Sequence, residues 1–334
     1  MAKRPTKTSA TNSLLTALEF LEPVMKEDGT PSQTHVVLNN KFAVAFDGTI
    51  AIGHPIDEEL AICPNFYSLK AALKKSKDTV AITVNNNSLS VVSGRLKVLI
   101  PCTQYNQMMV TQPDNGSIAI DDRIKTGFDL IGSIVNEDDK RIVASSLCLS
   151  NQSMMTTDGT SFFEYWHGFN LPTMILPKRV VQIVGKTDNK LVGIGFTLDR
   201  SITFYFENGA WVKSQLRSES WPDVSFITNI TLDNAQPIPE GLIEAIDSVL
   251  PHSTDKAIYF GENCVRSHHT DQGDTGARYE VSGLQSGAIY NGERLKLALK
   301  LAMTIQFDVR MRNVNNVCGF YGENIRGFVM PRSR

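Results

Sequence analysis

A helical pattern of apolar residues followed by three strand patterns occurs in the same order three times along the chain. The first copy predicts a helix over Phe66–Lys77. Its strands are predicted over Val80–Val84, Leu89–Val92 and Arg95–Ile100. Val80, Ile82 and Val84 point to one side of the first strand, which is typical of a strand buried on one face. The order predicts a helix packed on a sheet.

The second and third copies keep this order at an almost constant spacing. Their helices and strands are predicted over Lys178–Lys186, Leu191–Leu198, Ile202–Phe206 and Ala210–Leu216, and over Glu293–Ala302, Ile305–Met311, Val317–Tyr321 and Ile325–Met330. The turn glycines Gly94, Gly209 and Gly322 lie 115 and 113 residues apart. A recurrence at one spacing predicts tandem copies of one structural unit.

A further helical pattern and further strands precede each copy. The apolar faces of these helices are Leu14, Leu18 and Leu21; Ile124, Phe128, Ile131 and Val135; and Leu242, Ile246 and Val249. Asp47-Gly48 and Asp158-Gly159 stand 111 residues apart, and each predicts a tight hairpin turn. We predict three domains over residues 1–115, 116–231 and 232–334, with a disordered basic tail over 1–10.

The predicted fold class is α+β. Each unit contains two helices and about six to eight strands, and the helices do not alternate strictly with the strands. This arrangement favours mostly antiparallel sheets that carry their helices on one face.

Composition narrows the class of protein without indicating a partner. The chain of 334 residues has a net charge of −2, with 42% apolar and 20% charged residues, as in ordinary globular proteins. Its five cysteines are scattered, odd in number and never in a CxxC arrangement, which predicts buried reduced thiols. No apolar run reaches the ~20 residues of a membrane span, and no secretory signal is present. We expect a cytoplasmic protein with no membrane partner.

No catalytic constellation is predicted. Gly193 and Gly195 lie inside a strand and lack the third glycine of a dinucleotide-binding loop. His268, His269 and Asp271 are the one group that suggests a metal, but adjacent histidines in a polar loop are more often exposed to solvent. We therefore predict a non-enzyme without cofactor or metal.

The three recurring helices carry an excess of positive charge. The ten cations are Lys70, Lys74, Lys75, Lys77, Lys178, Arg179, Lys186, Arg294, Lys296 and Lys300. One acid, Glu293, accompanies them, whereas the whole chain is nearly neutral. A single helix of this kind is usually an ordinary solvated face, but the same bias in three copies favours a basic surface that binds phosphate.

Several short motifs resemble those of the bacterial DNA polymerase III β sliding clamp family. They are the Thr157-Asp158-Gly159 hairpin, the Ser93-Gly94-Arg95 turn, the Trp221-Pro222-Asp223 exit of the middle unit and the closing Phe328-Val329-Met330-Pro331-Arg332. The resemblance covers residues 10–334 and implies three tandem DNA-clamp domains. The chain is short for the family and has compact loops, which is consistent with a phage-encoded member.

The resemblance implies a head-to-tail homodimer that closes into a ring around double-stranded DNA, without reading its sequence. A replicative DNA polymerase and a clamp loader are the implied protein partners. The implied subunit seam uses the strand Arg95–Ile100, with Val98 and Ile100 as apolar contacts. An ordinary core strand is an equally good interpretation of that segment.

The resemblance also implies a groove in which client proteins insert a short apolar peptide. The matching positions are Thr157, Gly159, Phe162, Pro239 (with Ile238 as its alternative), Val329, Met330 and Pro331. Methionine suits such a groove because its side chain adapts in shape. The family's basic pair after Thr-Asp-Gly is replaced here by Thr160 and Ser161, and the Pro-Met-Arg-Leu ending is replaced by Pro-Arg-Ser-Arg. The peptide preference is therefore expected to differ.

Two other functions stay open at this point. One is a clamp-fold interaction module that does not encircle DNA, and the other is a nuclease or hydrolase that uses His268, His269 and Asp271.

Overall fold

The computed structural model describes residues 7–10, 12–76, 80–85, 87–135, 139–230, 234–269, 275–284, 286–306 and 318–332. Two compact units are present. Unit 1 comprises Met1–Lys125 with Arg179–Ser218, and unit 2 comprises Thr126–Lys178 with Glu219–Arg334. Each unit combines one terminal repeat with part of the middle repeat, and the division into three domains stays a prediction.

Eight α-helices occur in the described part of the chain. They are α1 (Asn12–Leu21), α2 (Pro31–Thr34), α3 (Phe66–Lys75), α4 (Arg123–Ile131), α5 (Lys178–Lys186), α6 (Ser225–Thr228), α7 (Leu242–Val249) and α8 (Gly292–Leu301). Asn65 and Asn291 cap α3 and α8, since each amide oxygen accepts a hydrogen bond from the third following backbone N–H, at 3.0 and 3.1 Å. The helix predicted over Phe66–Lys77 ends at Lys75, because Ser76 has an extended backbone.

The strands are short and numerous. In chain order they are β1 (Lys7–Ala10), β2 (Val37–Asn39), β3 (Phe42–Phe46), β4 (Ile50–Pro55), β5 (Cys63–Pro64), β6 (Val80–Asn85), β7 (Ser88–Ser93), β8 (Leu96–Thr103), β9 (Ile118–Ala119), β10 (Ser146–Leu149), β11 (Ser153–Thr157), β12 (Ser161–Trp166), β13 (Met174–Pro177), β14 (Leu191–Thr197), β15 (Ser201–Phe206), β16 (Trp211–Gln215), β17 (Gln236–Pro237), β18 (Ala257–Gly261), β19 (Cys264–Arg266), β20 (Arg278–Glu280), β21 (Ile289–Asn291), β22 (Thr304–Gln306), β23 (Cys318–Gly322) and β24 (Ile325–Val329). Most of the predicted strand Ile305–Met311 lies outside the described residues.

The N-terminal segment predicted to be disordered contains a strand. Residues Lys7–Ala10 form β1, which pairs with β6 in the register Lys7↔Thr83. This pairing supplies backbone partners to one edge of β6, while β7 covers the other edge.

Unit 1 contains two antiparallel sheets. Seven strands form one in the order β2-β3-β4-β16-β15-β14-β9, and five form the other in the order β1-β6-β7-β8-β5. In the larger sheet β4 of the first repeat pairs with β16 of the second, with Gly53 opposite Trp211. A side chain on Gly53 would collide with the Trp211 indole, so this pairing requires glycine.

Unit 2 repeats this plan with an eight-stranded sheet and a four-stranded sheet. Their orders are β13-β10-β11-β12-β24-β23-β22-β17 and β20-β19-β18-β21. Here β12 of the second repeat pairs with β24 of the third, with Phe162 opposite Phe328. Strand pairs within both units are antiparallel, which confirms the predicted α+β class with antiparallel sheets.

The helices bury the apolar faces that the sequence predicts. Leu14, Leu18 and Leu21 of α1 are fully buried in unit 1. Leu242 and Ile246 of α7 are fully buried in unit 2. Each such side chain contributes roughly 1.5–3 kcal/mol to folding, so the helices are held on the sheets mainly by these contacts.

The five cysteines are free, and all but the half-buried Cys102 are buried, as predicted. Burial raises the pKa of the Cys63 thiol to about 11 and that of the Cys148 thiol to about 12. These thiols are therefore protonated and unreactive at neutral pH.

A buried aspartate fixes the polar stretch that connects the first and second repeats. The side-chain oxygens of Asp114 accept hydrogen bonds from the hydroxyls of Thr197, Ser201 and Thr203, at 2.6–2.8 Å. The Lys213 ammonium lies 3.2 Å from the same carboxylate. Burial alone would raise the pKa of Asp114, but these hydrogen bonds outweigh it and lower the pKa. The connection is thereby attached to β14, β15 and β16.

Replacing this carboxylate with an amide tests its contribution. Asp114→Asn is expected to lower the free energy of unfolding by about 2 kcal/mol at pH 7, because charged hydrogen bonds are removed. The lowered pKa gives wild type stability that is present above the unfolded pKa of about 4 and is lost as pH falls below it. The difference between the two proteins in urea unfolding should therefore shrink below about pH 4. Asp129→Asn, at an exposed position, is the control, and an equal loss in it would contradict the assignment.

Candidate functional site

The predicted helix cations divide into paired and unpaired groups. In unit 1 the Lys70 side chain is buried, and its ammonium lies 2.5 Å from the Glu22 carboxylate. Lys74 is half exposed, with its ammonium 3.5 Å from Glu19 of α1. Lys77 lies outside the described residues. Lys70 therefore contributes little charge to the surface.

Two arginines of the predicted set join their helices to hairpin turns. In unit 1 the Arg179 guanidinium donates to the Asp47 carboxylate and, at 2.5 Å, to the carbonyl of Pro23. In unit 2 the Arg294 guanidinium lies 2.7 Å from the Asp158 carboxylate. Asp47 and Asp158 are the aspartates of the two predicted Asp-Gly turns, so these contacts are structural ones between consecutive repeats.

The remaining cations are divided among the helices. Lys296 of α8 pairs with Asp247 of α7. Lys75, Lys186 and Lys300 are exposed, one each on α3, α5 and α8, and Lys178 is half-buried. None of these four has a carboxylate within ion-pair distance among the residues that the structure describes.

An excess of positive charge survives this pairing. Together α1, α3, α4, α5, α7 and α8 carry eleven Lys or Arg and five Asp or Glu residues, in a chain of net charge −2. The helices are therefore basic as a set, but less so than the ten predicted cations alone suggest.

Unit 2 holds an apolar cluster beside the second hairpin. Phe162 of β12 and Phe328 of β24 form its centre, with ring centroids 6.5 Å apart. Five partly buried side chains pack around them: Met155, Val224, Ile227, Ile230 and Met330. Partly exposed apolar side chains on a buried aromatic pair form a surface that an apolar segment of another molecule can extend.

The predicted peptide-groove residues have different places around this cluster. Phe162 and Met330 belong to it. Val329 is buried in β24, where it stands opposite Ser161. Pro331 is half-buried and follows Met330 directly. Pro239 is not a member of the cluster, and its carbonyl accepts a hydrogen bond from the Leu242 N–H at the start of α7.

Thr157 and Gly159 shape the hairpin at the edge of the cluster. The Thr157 hydroxyl donates to the Ser161 carbonyl at 2.7 Å and accepts from the Gly159 N–H at 3.1 Å. Gly159 has a φ of 84°, and a Cβ there would lie 2.6 Å from the Arg141 guanidinium. The positive φ is the reason that this position favours glycine.

The hydroxyls of Thr160 and Ser161 close the turn where the family has its basic pair. Both donate to one Asp158 oxygen, at 2.8 and 2.9 Å. Burial alone would raise the pKa of Asp158, but these hydrogen bonds and the charge of Arg294 lower it. The turn therefore has an ionised aspartate at its base.

Sequence reasoning missed Met155, Val224, Ile227, Ile230 and Phe328 as members of the cluster. Three of them directly follow Trp221-Pro222-Asp223. Val224 and Ile227 are three residues apart and Ile230 follows after three more, which is the spacing of one helical face. The Asp223 carboxylate accepts a hydrogen bond at 2.9 Å from the N–H of Ser225, the first residue of the short helix α6. The periodic apolar residues after the proline turn are the sequence signal that could have identified this part of the cluster.

Among the described residues, no strand pairs with the outer edge of the predicted seam strand over Leu96–Ile100. β7 pairs with β8 over Leu96–Pro101, whereas on the other side β5 pairs only with Cys102 and Thr103, and the Asn65 N–H donates to the Pro101 carbonyl. Leu99 is 63% exposed and Val98 is half-buried, but Ile100 is fully buried in unit 1. Ile100 therefore points into the core, and Leu99 offers the largest apolar surface on this strand.

The described residues contain no group of three or more His, Cys, Asp or Glu side chains suited to a metal ion. His268 and His269 lie in the described part of the chain, whereas Asp271 lies outside it. None of the helices described is long and apolar enough to cross a membrane.

The whole chain superposes on solved bacterial clamps. The DNA polymerase III β chain of Streptococcus pneumoniae gives a TM-score of 0.82 at 14% identity, covering 99% of this chain and 100% of that one. The β subunit of Pseudomonas aeruginosa gives 0.79 at 16%, and the Caulobacter crescentus clamp 0.78 at 17%, each with 99% and 100% coverage. The chain has the sliding-clamp fold. The predicted resemblance is thus confirmed for the fold, although no protein-family model and no curated protein matches the sequence.

Proposed function

We propose that this chain is a DNA sliding clamp, a processivity factor that encircles duplex DNA as a closed ring and tethers a replicative polymerase. The observation that carries the proposal is the agreement with sliding clamps over 99% of the chain. On this proposal the protein is not an enzyme, acts in the cytoplasm, and is placed on DNA by a clamp loader.

We further propose that the exposed helix cations face the duplex. Lys75, Lys186 and Lys300 stand on the corresponding helix of each repeat. Such cations attract the phosphate backbone without reading bases, and a ring needs only weak attraction because topology retains it on DNA.

Ring closure is proposed to occur by head-to-tail pairing of two chains. The edge of β8 that no described strand covers would supply backbone groups for this pairing, and Leu99 and Val98 would supply apolar contact. Head-to-tail interfaces form closed rings when the rotation between subunits permits it.

The apolar cluster is proposed as the client groove of unit 2. Phe162 and Phe328 would form its floor, and Val224, Ile227, Ile230, Met155 and Met330 its walls. An apolar peptide segment of a polymerase or another client would bury these partly exposed side chains on binding.

A second candidate function is a clamp-fold interaction module without DNA encirclement. The observation that favours it is the pairing of five predicted cations with carboxylates: Lys70, Lys74, Arg179, Arg294 and Lys296. Such a module would keep the apolar cluster and lack both the ring and the salt-dependent attraction to DNA.

Solution mass tests the ring. Wild type is expected to have twice the chain mass by light scattering at micromolar concentration. Leu99→Asp is expected to have the single chain mass, because it places a charge on the apolar seam. The matched control is Leu198→Asp, at a turn position that is 60% exposed, and it should stay dimeric. A monomeric wild type would contradict the ring.

Salt dependence tests the DNA-facing helices. The triple replacement of Lys75, Lys186 and Lys300 by glutamine should flatten the plot of log affinity for a labelled duplex against log salt. The slope should fall by ~0.9 for each phosphate that the protein no longer neutralises. Glutamine at the exposed positions Lys41, Lys140 and Arg217, which lie outside the helices, is the control. Equal slopes for the two triple variants would instead favour the interaction module.

Peptide affinity tests the groove. Ile227→Ala and Met330→Ala should each weaken binding of a short fluorescein-labelled peptide with leucine and phenylalanine anchors. A loss of about tenfold is expected in fluorescence polarisation, because apolar contact area is removed. Met303→Ala, which removes a methionine that is 69% exposed and outside the cluster, should have no effect. If wild type binds the peptide and neither cluster variant weakens that binding, the peptide binds outside the cluster.

A further inference from the structure

One side of the apolar cluster is formed by a short segment whose backbone hydrogen bonds lie within the segment itself. The wall segment, residues 224–230, contributes Val224, Ile227 and Ile230 to the cluster. Its backbone hydrogen bonds are local: the amides of residues 227–230 donate to carbonyls three or four residues earlier. An isolated turn of helix is unstable in water, so the position of this segment depends on contacts with the rest of unit 2.

A single arginine supplies the polar tie between the wall segment and the sheet. Arg326 of β24 donates from Nη1 to the carbonyl oxygen of Thr228 at 3.0 Å. Thr228 is the last residue of α6, and carbonyl groups at the end of a helix lack partners within the helix. Within the described residues, and apart from the Ser225 N–H that donates to nearby Asp223, this is the one hydrogen bond from the wall segment to another part of unit 2. Arg326 thus caps the carboxyl end of α6.

The Arg326 guanidinium is itself fixed by a buried carboxylate. Its Nε and Nη2 each lie 2.7 Å from Oε2 of Glu164, which is 6% exposed. Glu164 and Arg326 stand opposite each other in the β12–β24 pair. The guanidinium carbon also lies 5.2 Å from the centre of the Trp166 ring, within cation–π range. These contacts orient the guanidinium so that its Nη1 donates to the Thr228 carbonyl.

An arginine suits this place for a geometric reason. Its planar guanidinium directs several N–H donors at once, so it can bind Glu164 and Thr228 simultaneously. A lysine would keep the charge beside Glu164 but would not hold both partners in that fixed plane. A buried charge pair by itself adds little net stability. The contribution of Arg326 therefore lies in the groups that it orients.

We propose that Arg326 is a positioning residue for the client groove. It holds the wall segment against Phe162 and Phe328 through the Thr228 carbonyl, and Glu164 holds Arg326 in place. Its effect on peptide affinity rests on the proposed function, whereas its effect on the wall segment does not. Arg326 acts through the backbone of α6, where its Nη1 donates to the Thr228 carbonyl.

Hydrogen exchange without peptide tests the tie directly. In Arg326→Met, exchange of the amides at residues 227–230 should rise by about tenfold, because the segment leaves the sheet more often. Arg326→Lys should recover the thermal stability that the ion pair with Glu164 provides, but should leave this exchange fast. If the role of Arg326 were purely structural, Arg326→Lys would restore both the thermal stability and the slow exchange. Should Arg326→Met fail to fold, Arg326→Met combined with Glu164→Leu removes both charges and is measured in the same way.

Peptide affinity is measured on the same variants with the labelled leucine–phenylalanine peptide. Arg326→Met and Arg326→Lys should both weaken binding by about tenfold. Arg278→Met is the matched control, because it removes an arginine paired with Glu280 on the exposed strand β20 of the same unit. That control should change neither exchange in the wall segment nor affinity.

The outcomes separate the two proposals. Unchanged exchange at residues 227–230 in Arg326→Met overturns the tie, whatever the peptide does. Faster exchange with unchanged affinity, while Ile227→Ala still weakens binding, overturns the positioning role. Faster exchange in a protein whose wild type binds no peptide supports the tie and counts against the client groove instead.

Discussion

Two hairpin aspartates divide their oxygens between their own turn and an arginine of the following repeat. In unit 1 one Asp47 oxygen accepts from the N–H groups of its turn and the other from Arg179. In unit 2 Asp158 does the same with its own turn and Arg294. Each turn is therefore closed and attached to the next repeat by one side chain. The Asp-Gly turns thus have a purpose beyond reversing the chain.

Sheets shared between consecutive repeats join them further, in addition to these ion pairs. The edge that β4 would expose is covered by β16, and the edge of β12 is covered by β24. An uncovered strand edge is prone to pairing with other molecules, so each repeat is protected by its neighbour. The same pairing brings Phe328 beside Phe162 and Arg326 beside Glu164. The apolar cluster and the support of its wall therefore both follow from one strand pair.

Local structure could be predicted from the sequence, but the pairing of groups far apart in the chain could not. Apolar periodicity located α1, α3 and α7, because burial on one helix face leaves a pattern within a few residues. The partner of Lys70 is Glu22, which lies on a separate element far along the chain. Nothing in a local pattern distinguishes a lysine that meets such a partner from one that faces solvent. The direction of Ile100 was missed for a similar reason, since alternation alone does not say which face is buried.

The position of β24 in its sheet has a consequence for synthesis of the chain. β24 lies between β12 and β23, yet it is encoded about 160 residues after β12. At translation rates of roughly 5–20 residues per second, β12 waits on the order of ten seconds or longer for its neighbour. During that time Phe162 has no Phe328 to cover it. The nascent chain therefore exposes an aromatic strand edge to solvent, where a chaperone can bind before the sheet is completed.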